Sequence, residues 1–96
     1  MTKKINLSRF DAADYLKDDA DIAAYLTVVL EESDASALIE ALGTIAKARG
    51  MNEIAKAAGL GRESLYKALR ADAQPRFDTV QRVLTALGVK LMAVPS

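Results

Sequence analysis

The sequence predicts an all-α fold, a bundle of about five to six helices ending in a short β-strand. Three observations carry that expectation. Ala and Leu dominate a chain of 96 residues that holds only 5 Gly and 2 Pro, and Ala and Leu are strong helix formers. Apolar residues recur at i, i+3, i+4 and i+7 in three separate stretches, the signature of helices with one buried face. A further stretch, Asn52 to Leu69, reads as two short helices joined by a tight turn. A hydrophobic content of 51% suffices for one core, and 27% charged residues cover it with a polar surface.

The elements follow in order. Met1 to Arg9 has no helical period. Phe10 precedes Asp11, a good N-cap, and Ala12 to Lys17 is expected to form a short helix carrying Tyr15 and Leu16. Asp18 or Asp19 caps a second helix, roughly Ala20 to Glu32, with Ile22, Tyr25, Leu26, Val29 and Leu30 as its stripe. Asp34 caps a third, Ala35 to Arg49, with Leu38, Ile39, Leu42, Ile45 and Ala46 inward. Lys47 and Arg49 suit its negative C-terminal end, and Gly50 stops it.

In the paired helices, Ile54, Ala55 and Ala58 face inward on the first. Leu65, Ala68 and Leu69 do so on the second, Arg62 to Arg70. Small Ala55 lets the two approach at a steep angle. Gly59 can take positive φ, Leu60 plugs the corner and Gly61 ends the turn. This is a helix-turn-helix, and the polar face of its second helix is the kind that enters a DNA major groove. Ala71 to Arg76 is a loop containing Pro75, and Phe77 is expected to anchor beneath the second motif helix. Asp78, with Gln81 three residues on, is expected to cap a last helix with Val80, Val83, Leu84 and Leu87 inward, ended by Gly88. VKLMAV then alternates Val89, Leu91 and Ala93 on one face, which reads as a β-strand. A strand needs a partner. Pairing with its twin in a two-fold dimer is one solution, and lying over its own core is the other.

Several function classes drop out. With no His and no Cys, the usual general base, metal ligand and thiolate are missing. No paired carboxylates sit on a cavity-lining stripe, so neither an enzyme nor a cofactor or metal site is expected. The N-terminus has charges but no apolar core, and the apolar runs are only a few residues long. Neither a signal peptide nor a membrane span is expected, and the cytoplasm is the expected location.

Net charge is zero, but it is unevenly spread. Residues 1–34 hold four basic and eight acidic residues, whereas residues 35–96 hold nine basic and five acidic. A basic body suits phosphate, and an acidic front suits a basic protein. The alternative reading is that both are ordinary solvated faces.

The order of helices around Ala55, Gly59 and Leu65 resembles the phage-repressor-like (Cro/CI, xenobiotic-response-element) DNA-binding domain over about residues 35–88. FDAADYL, GLGRESLYKAL and FDTVQRVLTALGVKL resemble, more narrowly, the addiction-module antidote family over about residues 8–94. These are the HigA-type antitoxins encoded beside RelE/ParE-like toxins. The resemblance implies a type II antitoxin that neutralises a RelE/ParE/HigB-like toxin by direct binding and represses its own operon as a homodimer on operator DNA. The alternative is a stand-alone transcription regulator of the xenobiotic-response-element family, with no toxin.

Motif position assigns roles. The outward residues Arg62, Glu63, Tyr66 and Lys67 would reach base edges. Arg62 could fork onto guanine O6 and N7, and Glu63 could accept from cytosine N4 or orient Arg62. Ser64 and Lys67 could reach phosphate, Tyr66 either target, and Gly61 leaves backbone amides open to a phosphate. Repressor-like domains usually place Gln at the start of the first motif helix. Met51 stands there, so Asn52 is expected to serve as N-cap and phosphate ligand. Lys56, Arg76 and Arg49 are further candidates for the DNA backbone. The resulting division is an acidic helical segment (1–34), a DNA-binding domain (35–88) and a dimerisation tail (89–96). Residues 1–34 either complete the core or contact the toxin, the latter through Phe10, Asp11, Asp14 and Tyr15.

Overall fold

The computed structural model describes Leu16 and residues 18–96. The helix expected over Ala12 to Lys17 and the candidate toxin contacts Phe10, Asp11, Asp14 and Tyr15 lie outside the described residues. Five helices follow one another: α1 (Asp19–Glu31), α2 (Ala35–Arg49), α3 (Met51–Ala58), α4 (Arg62–Ala68) and α5 (Phe77–Ala86). α3 lies at the centre and packs on α2, α4 and α5, while α1 packs on α2.

Local chemistry explains most of the helix ends. Asp18 caps α1, its carboxylate accepting from the Asp21 amide at 2.9 Å. Asp34 caps α2, accepting from the amides of Ser36 and Ala37. α3 closes on Gly59 at φ 73°, where the Leu60 amide donates to the Ala55 carbonyl and the Gly59 amide to that of Lys56. The end of α5 repeats this pattern. Gly88 sits at φ 84°, Val89 donates to Leu84, and Gly88 to Thr85. In both, the left-handed glycine lets two amides turn back on the last turn, and the apolar residue after it packs onto the core.

One contiguous core holds the helices together. Ile39, Leu42, Ile45 and Ala46 of α2 meet Ile54 and Ala55 of α3, Leu65 of α4 and Val80, Val83 and Leu84 of α5. Leu16 and the α1 residues Ile22 and Leu26 belong to the same cluster, with Tyr25 and Val29 half-buried beside it. Each fully buried aliphatic side chain contributes about 1.5–3 kcal/mol. At the far end, Asp19 lies 3.5 Å from Arg49 and against Gly88, joining the start of α1 to the ends of α2 and α5.

Four expectations need correction. No strand forms among the described residues, and 89–96 runs on without regular structure. Val89 is drawn onto the core by the Gly88 turn, and a strand here has no ladder partner among the described residues. Phe77 is not an anchor: as the first residue of α5 its ring stands 62% exposed. Asp78 does not cap α5. Arg76 holds that position, and Asp78 lies inside the first turn, 3.3 Å from the Arg76 Nε. Asn52 does not cap α3. Met51 is buried, which starts the helix one residue earlier, on Gly50.

Two stability tests follow. Gly59→Ala should cost about 1–2 kcal/mol, the strain of left-handed backbone alone, because a Cβ there meets nothing within 4 Å. Gly88→Ala should cost more, because its Cβ would come within 2.6 Å of the Asp19 Oδ2. In urea denaturation Asp19→Ala should cancel that excess, and an undiminished cost in the double variant would refute the close approach. Leu65→Ala, at a fully buried site, should cost about 2–5 kcal/mol. Lys67→Ala, on the exposed face of the same helix, should stay within about 0.5 kcal/mol of the parent.

Candidate nucleic-acid interface

α4 is only seven residues long, and its two faces differ sharply. Leu65 is fully buried and Leu69, at its C-cap, nearly so. Arg62, Glu63, Ser64, Tyr66 and Lys67 are all exposed. The spacing that sends Leu65 and Leu69 inward puts these five side chains outward, so burial of one face presents the other. Gly61 precedes the helix in extended backbone and brings no capping side chain.

Arg62 and Tyr66 stand one turn apart, with the guanidinium carbon 5.3 Å from the ring centroid, a cation–π contact. Both line an open cleft of about 510 Å³ shared with Asn52 and Glu53 of α3 and Lys47 of α2. Asn52 is therefore beside the recognition-type residues although it is not a cap. A wider cleft of about 760 Å³ extends from Tyr66 towards Arg70, between α4 and the Glu40–Lys47 side of α2. Lys47 lines both clefts. In the sequence it counted only as a partner of the helix dipole. Its signal was its place in the last turn of the helix leading into the motif.

The other candidate cations differ in what they face. Arg49 is partly buried: its Nη1 is covered, has no hydrogen-bond partner among the described residues, and lies 3.5 Å from the Asp19 carboxylate. That geometry sets Arg49 beside a carboxylate, with its side chain 31% exposed. Arg76 is exposed beside Asp78, and Lys56 is exposed on α3. Among the described residues Arg62 and Lys67 form no ion pair. The surface thus offers a planar cation stacked on a ring, a flexible cation, a hydroxyl and a carboxylate on one short helix, a set suited to base edges and phosphates.

The tail candidates divide. Val89 is half-buried against the core, while Leu91 and Ala93 are exposed, together with Met92 and Val94. Leu91 lines a small recess of about 70 Å³ with Leu26, Thr27 and Leu30 of α1.

Among the described residues no helix is long and apolar enough to cross a membrane. No solved structure matches the chain. An uncharacterized protein of Haemophilus influenzae is 41% identical over 90 residues, which is 94% of this chain and 93% of that protein. Residues 6–95 match the family described as probable addiction module antidote protein. That match spans both the paired helices α3 and α4 and the acidic N-terminal segment, and the chain belongs to this antidote family.

Proposed function

We propose that the chain is the antitoxin of a type II toxin–antitoxin module. It neutralises a RelE/ParE/HigB-like toxin by direct binding, and as a homodimer in the cytoplasm it represses its own operon at an operator. It acts by binding and not as an enzyme, with neither cofactor nor metal. The antidote role rests on family membership over residues 6–95. The DNA-binding role rests on one observation: α4 buries Leu65 and Leu69 and turns Arg62, Glu63, Ser64, Tyr66 and Lys67 to solvent. Arg62 forks onto a guanine, Lys67 and Ser64 hold phosphates, and Asn52 and Lys47 flank them from the neighbouring helices. The acidic excess of residues 1–34 suits a basic toxin, with Phe10, Asp11, Asp14 and Tyr15 as contacts. Exposed Leu91, Met92 and Val94 supply apolar surface for a second copy.

A gel shift with the DNA upstream of the chain's own gene tests the repressor half. Arg62→Ala should weaken specific retardation by about 1–3 kcal/mol, and Lys67→Ala should lower the salt slope by about one. Unchanged specific affinity in Arg62→Ala refutes this role for α4. Deletion of residues 89–96 should yield monomers in sedimentation, and persistent dimers place the interface elsewhere. Co-expression and pull-down with the product of the adjacent gene tests the antidote half.

A further inference from the structure

We infer that Arg62 and Tyr66 read DNA as one stacked unit, and that this unit selects a guanine next to a pyrimidine bearing a C5 methyl group. The inference rests on the DNA-binding reading above and adds the base step that the helix prefers.

Three arginines of the fold set the contrast. Arg49 and Arg76 lie beside the carboxylates of Asp19 and Asp78. Arg62 is placed instead by the Tyr66 ring, at 5.3 Å from its centroid. A carboxylate beside a guanidinium competes for its N–H donors. A ring face holds the cation without a carboxylate acceptor, so N–H groups turned away from the ring stay available to donate. The contact thus limits where the flexible side chain points, and among the described residues its fork has no ion-pair partner. Among the acceptors of the major groove, guanine O6 and N7 match that fork in bidentate fashion.

Tyr66 then has a second consequence. It follows Arg62 by one turn on the same exposed face of α4. With the guanidinium on a guanine, a ring 5.3 Å from its central carbon falls within reach of the adjoining base pair. What a base pair offers an apolar ring edge in the major groove is the C5 methyl of thymine. Cytosine offers an amine and no methyl. Tyr66 is therefore a positioning residue for Arg62 and a specificity residue for the neighbouring base, and the 5-methyl group is the atom it reads.

Selection from a random duplex pool with the full-length protein supplies the site, and base analogues then test it atom by atom. Enriched sites should contain thymine beside a guanine. Replacing that guanine by 7-deazaguanine should weaken the parent protein about tenfold, the loss of one hydrogen bond to a charged donor, and should not affect Arg62→Ala further. Replacing the thymine by deoxyuridine should cost the parent and Tyr66→Phe about fourfold, the worth of one methyl group taken out of water. Tyr66→Ala should bind thymine and deoxyuridine sites equally, and 5-methylcytosine in place of that thymine should restore the parent's preference over cytosine. A merely structural Tyr66 would lower affinity for all of these duplexes alike. An enriched site insensitive to both analogues overturns the inference and leaves the DNA-binding reading intact. A pool that yields no enriched site overturns both.

Discussion

A helix of seven residues does not sustain itself in water, because too few hydrogen bonds form to offset the cost of nucleating it. α4 is such a helix, and the rest of the fold is what makes it persist. Leu65 and Leu69 tie it to a core shared by α2, α3 and α5. The left-handed Gly59 sets the corner at which it leaves α3, and Leu60 packs into that corner. The polar face of α4 is thereby rigid without any polar interaction of its own having to hold it. Burial of a few aliphatic side chains is converted into a fixed display of Arg62, Tyr66 and Lys67.

The same packing decides which charges are available. Nine basic residues lie between residues 35 and 96, but they are not equivalent once the chain folds. Arg49 is drawn under the N-terminus of α1 by Asp19, and Arg76 lies beside Asp78. Arg62 is stacked on a ring. An exposed ion pair contributes at most about 1 kcal/mol to stability, so these pairings matter less for holding the fold than for sorting the cations. The one at the start of α4 lies against a ring and forms no ion pair among the described residues.

Helix ends were legible because capping is a local matter. Asp18, Asp34, Gly59 and Gly88 act on backbone groups within a turn of themselves, and the chain order already names those groups. The inward stripes were legible for a related reason, since spacing alone assigns a face. The errors fell where a residue's role depends on something distant. Met51 starts α3 early because its side chain is buried in the core, which displaces Asn52 from the cap. Phe77 has the right spacing to be inward but stands at the open first turn of α5. Alternation over Val89–Val94 suggests a strand, yet a ladder requires a second strand, and none forms among the described residues.

By itself, then, the amino-acid order determined the helical class, the corner at Gly59 and the set of side chains that leave α4 outward, because periodicity and backbone handedness are properties of neighbouring residues. Tertiary structure decided the rest of the interface. It brought Lys47 of α2 and Asn52 of α3 beside Arg62 and Tyr66, set Arg49 beside Asp19, and placed Asp19 against Gly88. These juxtapositions join residues far apart in the chain, and only the packing of apolar faces onto one core sets the distances between them.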